Sequence, residues 1–559
     1  MLSVASSSLE ASSFSQGNGN YRDINQNRRC DNFFNPQVKD HNIKIFTNLI
    51  QADGYNPLVI KGSKYNFIQA AQEEIMQDVS DDDHDMLRNR FKKPFTPGEL
   101  SSFIDINNIK LDIELEKFVE KSLSLSDSII DAEFGEGYWI DHWTYILDLI
   151  ENYLAVYPEK TNKLFFEDDS YYFYDSNVKV KPRSEKYVLT DLGPRQLNAL
   201  EENAQKRKLI KSRKDKKYHL RTQHGEGEIY NTTLIIKLMT LVTNKISTMD
   251  PSGIGIEMEA NKPGWYDALN GLPGIFGSST AETMELKRLV DYILKIINNM
   301  DMSYKLILPI ELYEFTTAIN NEIEKWSNEK NHYNYWKQAN KLKEKYREKV
   351  FWGFDGQEKV ISISDLQDYL FNISKKLEQA VKYASNADYG MYVTYYYYLP
   401  VEYKETGSIS KDGYPYIQVS KFERKMLPPF LEGQVRAMKL LNTNQAKDLH
   451  SQVKASELFD NKLKMYRLNG DLSKMPDAIG RARAFTPGWL ENGSIWLHME
   501  YKYLLELLKS GLYDEFYQSL KNCLIPFHDP ELYGRSILEN SSFIMSSSNS
   551  DQKNHGRGY

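Results

Sequence analysis

The sequence predicts a mainly α-helical fold that carries a small β-hairpin insertion. Long segments repeat apolar residues at spacings of three and four, which is the pattern of a helix with one buried face. Strand patterns are few, and no fixed-period repeat is visible in the sequence. Long helices joined by loops that contain Gly and Pro are what a ring of helical hairpins requires. In such a ring the loops at one end form the pocket.

Four helices with a recognisable start or end are predicted. One spans residues 138–157, two begin at Leu234 and Ser279, and the fourth ends at Gly511. Pro158 ends the first helix because proline cannot continue the hydrogen-bond pattern. Ser279, with Glu282 three residues later, predicts a capping box. Gly511 is predicted to be a C′ glycine, the residue that ends a helix by adopting a left-handed conformation. The segment 319–383 is charged and helical in pattern.

Two segments rich in aromatic and β-branched residues predict strands, residues 163–175 and 390–404. Asp412 and Gly413 follow the second segment. An Asp-Gly pair next to an extended segment predicts a tight hairpin turn. The β structure is therefore expected to be a small hairpin set on the helical body.

The overall composition excludes several classes of protein. The chain has 559 residues, is 41% hydrophobic and 26% charged, and carries a formal net charge of −7, so it is globular and has no basic field for nucleic acid. The basic run at residues 206–217 has no interleaved aromatics, so we expect a solvated helix face or loop there. No stretch reaches about 18 apolar residues, and the N-terminus does not resemble a secretory signal. We therefore expect no nucleic-acid or membrane partner and a cytoplasmic location.

Cysteine and aromatic content indicate which kinds of site the protein can contain. Neither Cys30 nor Cys523 has a CxxC partner, so a cysteine-bound zinc site is excluded and no metal is expected. The low cysteine content is typical of proteins in a reducing compartment. The chain has 38 Tyr, 25 Phe and 8 Trp. The codon bias of an AT-rich genome explains most of this excess. The remainder would suit a carbohydrate site, in which the C–H faces of sugars lie on aromatic rings.

The two ends of the sequence differ from its middle. Residues 1–15 are rich in serine and are predicted to be disordered, so the expected catalytic domain spans residues 16–559. The sequence stops directly after the glycine-rich residues 555–558, where no element closes. We therefore expect the C-terminal end of the domain to be missing.

The most distinctive stretch is residues 261–279, in which Asp267 follows Trp265 and Tyr266 and glycines stand on both sides. A surface loop does not need two aromatics, and a core strand does not need a carboxylate. We therefore expect a planar ligand on Trp265 and proton transfer at Asp267, with Asn270 close by.

Two N-terminal clusters are candidate sugar contacts. The first cluster consists of Arg22, Asp23, Asn25, Gln26 and Asn27. Such residues supply the directed donors and acceptors that several adjacent hydroxyls need, although a polar N-terminal loop is the alternative. The second cluster places Asp141 and His142 beside Trp143, where they either line a pocket or cap a helix.

Two C-terminal clusters are further candidates. Glu491 lies on a glycine-containing loop that leads into a helix with His498, and it either contacts a ligand or caps that helix. His555 and Arg557 are bounded by glycines. A cation on a glycine-rich segment suits an oxyanion such as phosphate.

In their order along the chain, these stretches resemble the motifs of the cellobiose phosphorylase family of inverting glycoside phosphorylases. Residues 22–27 resemble the family's Arg-Asp-x-x-Gln-Asp motif but end in asparagine. Residues 264–267 resemble its Asp-Trp-Asn-Asp motif, with the tryptophan and the last aspartate kept and the first aspartate and the asparagine lost. Residues 491–494, with the later His498, resemble its Glu-Asn-Gly-Gly segment, and residues 555–558 resemble its His-x-Gly-Arg-Gly segment.

The resemblance implies an (α/α)6 barrel over residues 16–559. Family members carry a β-sandwich domain before the barrel and a Thr-Gly-Ser loop after it that helps to bind phosphate. Neither is present in this sequence, so we expect a fragment or a divergent branch of larger proteins. The resemblance also implies a homodimer.

The resemblance further implies roles for single residues. Asp267 would be the general acid, with its pKa raised by the apolar rings beside it, and Trp265 would hold the sugar ring. The other implied substrate contacts are Arg22, Asp23, Gln26, Asn27, Asp141, Trp143, Tyr266, Asn270, Glu491 and His498. His555 and Arg557 would bind inorganic phosphate, the co-substrate, and no cofactor is expected. The implied reaction is phosphorolysis of a β-glucoside or β-oligoglucan to α-glucose 1-phosphate with inversion.

Two alternatives stay open at the level of sequence. An inverting hydrolase or transglycosylase would need a second carboxyl at about 6.5–9.5 Å from the acid, and Glu491 would serve as that base. A truncated relative that binds carbohydrate without turnover would keep the aromatics. Linkage and acceptor stay undetermined because residues 304–425, which would form much of that subsite, match no known pattern.

Overall fold

A computed structural model of the chain describes residues 19–55, 59–133, 141–386, 390–533 and 542–558. The predicted disorder of residues 1–15 lies outside these ranges. The chain divides into two compact units: the first holds Tyr55–Ser176, Gln205–Leu220 and the residues up to Gln51, and the second holds Ala52–Gly54, Asn177–Ala204 and the residues from Arg221 onward. The mainly helical class is confirmed. No helix within the described ranges is both long enough and apolar enough to cross a membrane.

The first unit combines short helices with a three-stranded antiparallel sheet. Its helices are Tyr21–Arg28, Asp31–Phe34, His41–Asn48, Gln72–Met76, His84–Arg90, Pro97–Ile106, Leu115–Ser124, Asp141–Val156 and Ala204–Ser212. The sheet consists, in spatial order, of Gly19–Asn20, Val59–Phe67 and Ser126–Glu133. A short strand, Tyr171–Tyr172, follows later in the chain. The helix predicted over residues 138–157 is confirmed as Asp141–Val156, which ends before Pro158, and residues 138–140 lie outside the described ranges.

Four short helices form an insertion between the strands Val59–Phe67 and Ser126–Glu133. This insertion has its own apolar core, in which Phe67 stacks on Phe91 with 4.2 Å between ring centroids. The helix Pro97–Ile106 begins with a complete capping box. Because each helix is short, its apolar repeat is too brief to predict it, and packing stabilises it instead.

The strand predicted over residues 163–175 is mostly wrong. Lys163–Glu167 form one π-helical turn, whereas Tyr171–Tyr172 form a short strand and Tyr174 makes isolated β-bridges. Leu164, Phe165 and Phe166 are all buried. A short apolar run can be buried as a strand or as a helical turn, so its composition did not decide between them.

The basic run at residues 206–217 is only partly solvated, which corrects the expectation for it. Lys206 and Arg213 are buried, and both bind the buried carboxylate of Asp175, at N–O distances of 2.6 and 2.8 Å. The other lysines and arginines of the run are exposed. The ion pairs compensate for removing two cations from water, since an unpaired buried charge is very unfavourable.

The second unit contains the long helices. They are Leu234–Ile246, Thr280–Ile297, Ile310–Glu329, His332–Val350, Ile363–Ala384, Leu431–Met438, Thr443–Ala455, Leu497–Lys509, Tyr513–Cys523 and Pro530–Tyr533. Successive helices pack in pairs, as in Ile310–Glu329 with His332–Val350 and in Leu497–Lys509 with Tyr513–Cys523. The helical pattern predicted for residues 319–383 is confirmed except over residues 351–362, which include the strand Glu358–Ser362.

Two predicted helix ends of this unit are confirmed. The helix Leu234–Ile246 begins at the predicted residue, and all of its residues except Lys245 are buried. Gly511 has a φ of +78°, and its N–H group donates to the carbonyl of Leu508. The next N–H group, of Leu512, donates to Leu507. This pair of hydrogen bonds is the Schellman motif, so Gly511 is the C′ residue.

The helix Thr280–Ile297 also begins where predicted, but the capping box does not form. Ser279 belongs instead to a two-residue strand that pairs with Tyr395, and its hydroxyl is buried. The first turn is held differently, since the hydroxyl of Thr280 donates to the carbonyl of Val393 at 2.5 Å. Sheet pairing therefore replaced the local cap.

A six-stranded sheet holds most of the extended residues of the second unit. Its strands, in spatial order, are Ile256–Glu257, Ser278–Ser279, Tyr395–Ile409, Pro415–Met426, Tyr187–Thr190 and Gly193–Gln196. The third and fourth strands form the predicted hairpin, and Gly413 has a φ of +85° in its turn. The hairpin is longer than the small insertion that the sequence predicted. The remaining strands are short and pair as Val178–Val180 with Leu200–Glu202, Lys305–Pro309 with Glu358–Ser362, Ser385–Asn386 with Met391–Tyr392, Phe459–Asp460 with Met465–Tyr466, and Ile495–Trp496 with Phe543–Ile544.

Candidate functional site

Asp267 lies in the second unit at the start of the short 3-10 helix Asp267–Leu269. Its side chain is half-buried, whereas the neighbouring Trp265 and Tyr266 are buried. The turn is held close to another segment, since Gly271 approaches the backbone of residue 478 so closely that a Cβ atom would overlap it. The chain thus presents one carboxylate at the edge of a rigid aromatic turn.

Trp265 packs against other aromatic rings. It is 3% exposed and stacks on Trp496 with 4.9 Å between centroids. The ring of His498 lies 5.9 Å from it, and the ammonium of Lys502 lies 5.2 Å from its centroid. Trp496 is only half-buried and stacks in turn on Phe543. The ring that the sequence assigned to a planar ligand therefore already has a protein ring on one face, and Trp496 presents more accessible aromatic surface.

Tyr266 joins this turn to the loop that carries Glu491. Its hydroxyl donates to Asn469 Oδ1 at 2.7 Å and also lies in a short contact with the carbonyl oxygen of Glu491. The same Asn469 oxygen accepts the N–H of Gly493 at 3.3 Å. Tyr266 is 1% exposed, so its role in the structure is to position the loop rather than to touch a ligand.

Glu491 lies beside the guanidinium of Arg481 and near enough to Asp267 for the charge of Asp267 to affect its pKa. Burial raises the pKa of Glu491, and the charge of Asp267 raises it further, while Arg481 lowers it. The Arg481 guanidinium lies 3.8 Å from the Glu491 carboxylate. Asn270 Oδ1 accepts the backbone N–H of Arg481 at 2.9 Å, which fixes the start of that segment. Two carboxyls with unlike surroundings can take different protonation states, which is what acid–base chemistry requires.

The C-terminal segment lies beside the Glu491 loop. The backbone N–H of Ser546 donates to the carbonyl of Gly488 at 3.2 Å. His555 bonds the carbonyl of Asn549 through Nε2 at 2.6 Å, and Arg557 is exposed. The two predicted phosphate ligands are therefore in the same unit as Asp267, and the His555 ring is held by a backbone contact.

The N-terminal candidates lie in the first unit. Arg22 Nε donates to Asp23 Oδ1 at 3.2 Å, and Asn27 is exposed. Gln26 accepts a hydrogen bond from the hydroxyl of Tyr145. Trp143 is 2% exposed, which makes it a core residue without accessible surface for a ligand. The candidates Asp141 and His142 begin the helix Asp141–Val156, and their side chains lie outside the described part of the structure.

Several residues that surround Trp265, Tyr266 and Glu491 belonged to no motif in the sequence. They are Asn469, Arg481, Trp496, Lys502 and Phe543. Each stands in an ordinary polar or aromatic context, and each is brought in by contacts between distant segments. Trp496 and Phe543 meet because the strands Ile495–Trp496 and Phe543–Ile544 pair. Of these residues, only Trp496 could have been identified from the sequence, because it lies between the two candidates Glu491 and His498.

A separate pocket of about 440 Å³ lies in the second unit. Its lining comes from residues between 181 and 202 and between 410 and 416, around the turn of the long hairpin. None of the predicted site residues lines it. The pocket is lined by both carboxylates and ammonium groups, so its charge does not indicate which class of ligand it would bind.

Within the described ranges, no three His, Cys, Asp or Glu side chains group in a way that could hold a metal ion. A half-buried carboxyl beside buried aromatic rings, as at Asp267, can support proton transfer to or from a bound ligand. No protein-family model matches the chain, and no curated protein matches it either.

Proposed function

We propose that the chain is an inverting glycoside phosphorylase built on an (α/α)6 barrel, and that it cleaves a β-glucoside or β-oligoglucan with Asp267 as general acid. The single observation that carries the proposal is the half-buried Asp267 on an aromatic turn that Tyr266 joins to the Glu491 loop. The paired long helices of the second unit support the barrel, since a ring of helical hairpins is made of such pairs.

In this proposal the Asp267 carboxyl gives its proton to the glycosidic oxygen as the C1–O bond breaks. A phosphate oxygen attacks C1 from the opposite face, so the product is α-glucose 1-phosphate. The mechanism requires Asp267 to carry a proton before the reaction, so that it can protonate the leaving oxygen. Phosphate is already an anionic nucleophile, and so the reaction needs one acid and no base.

The nucleophile requires positive charge near the Asp267 and Glu491 carboxyls. Arg481, beside Glu491, is a candidate in addition to His555 and Arg557, the residues assigned from the resemblance. Arginine suits this role because its fork of donors matches the geometry of a phosphate oxygen pair. Trp496 and His498 would flank the sugar, and Glu491 would bond its hydroxyls.

A second candidate function is favoured by the same two carboxyls. The pKa of Glu491 is raised by burial and in part by the charge of Asp267, and an inverting hydrolase uses two carboxyls as acid and base. In that case water replaces phosphate, and Glu491 removes its proton.

The test measures phosphate release from α-glucose 1-phosphate with glucose, cellobiose, laminaribiose and sophorose as acceptors. It compares the unmodified protein with Asp267→Asn, Glu491→Gln and the control Asp477→Asn, whose carboxylate is 94% exposed. We expect release with one acceptor, a loss of at least about a hundredfold in Asp267→Asn, and no change in the control.

The other outcomes separate the alternatives. Hydrolysis of the same glucosides without phosphate, lost in both Asp267→Asn and Glu491→Gln, would replace the phosphorylase with the hydrolase. Sugar binding without any turnover, unchanged in Asp267→Asn, would leave a carbohydrate-binding protein.

A further inference from the structure

Three side-chain oxygens converge on Gly264, which lies three residues before Asp267. Outside the adjoining residues, the heavy atoms nearest to a Cβ atom built on Gly264 are Glu282 Oε1 and Tyr395 Oη at 3.8 Å and Ser279 Oγ at 3.9 Å. All three distances are ordinary van der Waals contacts, so the position leaves room for a small group. The chain thus keeps a small polar space beside the stretch that leads to Asp267.

The hydroxyl of Ser279 indicates that this space holds a bound group. Ser279 is 1% exposed, and its hydroxyl has no hydrogen-bond partner among the described residues. It does not cap the helix Thr280–Ile297, because the predicted capping box with Glu282 does not form. A buried hydroxyl without a partner is unfavourable, and native proteins rarely keep one unless water or a ligand satisfies it.

Glu282 and Tyr395 supply hydrogen-bond acceptors. Glu282 is 7% exposed. Burial lowers the pKa of Lys245, and the charge of Glu282 opposes that effect, so a cation lies near enough to compensate the buried carboxylate. The Tyr395 hydroxyl donates to the Glu432 carboxylate in a short contact, so it can only accept from a group beside Gly264. A carboxylate and an accepting hydroxyl suit a ligand that donates, such as an O–H group.

We propose that Glu282 and Ser279 bind hydroxyl groups of the sugar whose glycosidic oxygen Asp267 protonates, and that Gly264 lacks a side chain so that this sugar can approach. Gly264 and Asp267 are three residues apart, so their Cα atoms lie within about 11 Å of each other. The side chains of Asp267 and Glu282 can therefore contact the same sugar unit. This inference rests on the proposed function, since it assumes a sugar at Asp267.

The site selects a neutral sugar. A buried carboxylate beside the ligand repels a sugar that carries its own carboxylate, because like charges would meet in a medium that screens them poorly. Glucuronic acid should therefore bind at least about tenfold more weakly than glucose, which has the same ring and a neutral hydroxymethyl group.

Isothermal titration with glucose, cellobiose and glucuronic acid tests the site without requiring turnover. The proteins are the unmodified chain, Gly264→Ala, Ser279→Ala and the control Gly274→Ala. Neither glycine has a positive φ, and a Cβ atom at Gly274 would lie 3.7 Å from the carbonyl oxygen of Gln196, so both alanines fit the fold. Gly264→Ala fills the space for the ligand hydroxyl, so it should raise the dissociation constant of cellobiose at least about tenfold with an unchanged urea midpoint. Gly274→Ala should change neither quantity.

Ser279→Ala separates ligand binding from folding. It removes a buried hydroxyl that has no partner among the described residues, so the urea midpoint should stay the same or rise. It also removes one hydrogen bond to the sugar, so the dissociation constant should rise about threefold to tenfold. A role in folding alone would move the midpoint and leave the affinity unchanged.

The inference is overturned if Gly264→Ala or Ser279→Ala binds cellobiose as tightly as the unmodified protein, which would leave a buried water in the space. It is also overturned if Gly274→Ala weakens binding as much, if glucuronic acid binds as well as glucose, or if the unmodified protein binds no sugar. Phosphorolysis together with unchanged affinities in the variants would leave the proposed function standing without this site. Binding that depends on Gly264 and Ser279 without any turnover would leave the site standing without the phosphorylase.

Discussion

Glu500 makes the stability of the protein depend on pH. It lies in the helix Leu497–Lys509 and is 0% exposed. One carboxylate oxygen accepts the backbone N–H of Tyr466 at 3.2 Å. The other oxygen is buried and has no hydrogen-bond partner among the described residues. Burial raises the pKa of this carboxyl from 4.5 to about 8, against the opposing effect of the Tyr466 N–H group.

The sign of the effect follows from proton linkage. The folded-state pKa lies above the unfolded-state pKa, so the folded state holds the proton more tightly and is favoured at low pH. Its stability falls as the pH rises from 4.5 towards about 8, and the fall then stops. At about 1.4 kcal/mol per pKa unit, raising the pKa from 4.5 to about 8 lowers the free energy of unfolding by on the order of 5 kcal/mol at high pH.

The substitution Glu500→Gln removes the ionisable group and keeps its shape. Below the ordinary pKa of a glutamate, the two proteins should have similar urea midpoints. Towards neutral and alkaline pH the variant should become the more stable protein, by up to about 5 kcal/mol near pH 8. The measurement is urea unfolding followed by circular dichroism over this pH range, with the exposed Glu531→Gln as control. Parallel midpoints for Glu500→Gln and the unmodified protein would show that Glu500 is ionised or hydrated in the folded state, and would refute this reasoning.

Three further predictions concern other charged and polar groups. Asp175→Asn leaves two buried cations without their carboxylate, so it should lower the free energy of unfolding by about 3–5 kcal/mol in urea titrations. Tyr266→Phe removes the hydroxyl that holds Asn469 and the Glu491 loop, so turnover should fall about tenfold to a hundredfold while the secondary structure persists. Arg481→Ala removes the charge that lowers the pKa of Glu491, so the ionisation of Glu491 in the pH–rate profile should move to higher pH.

Matched variants separate these effects from general damage. Exposed Asp169 and Tyr517 serve for the first two predictions, as Asp169→Asn and Tyr517→Phe, and both should behave as the unmodified protein. Arg481→Lys keeps the positive charge and should retain most of the original pH–rate profile. An unchanged stability in Asp175→Asn, an unchanged rate in Tyr266→Phe, or a profile that moves to lower pH in Arg481→Ala would contradict the respective prediction.

The sequence by itself determined the features that depend on neighbours along the chain. The helix Leu234–Ile246 follows from its apolar repeat, the end at Gly511 from the freedom of glycine at positive φ, and the hairpin turn from Asp412 and Gly413. Each of these signals is complete within a few residues, so no knowledge of the rest of the fold was needed. Asp267 was singled out in the same way, from its two aromatic neighbours.

Only the tertiary structure decided which distant residues meet. Tyr266 contacts residues 203 and 225 positions away, and Arg481 comes beside Glu491 through the fold of a loop. The burial of Lys206 also could not be read from a basic run, since it depends on where Asp175 lies. Such contacts are set by the packing of whole elements, because a side chain's environment is determined by what surrounds it in space and not by its neighbours in sequence.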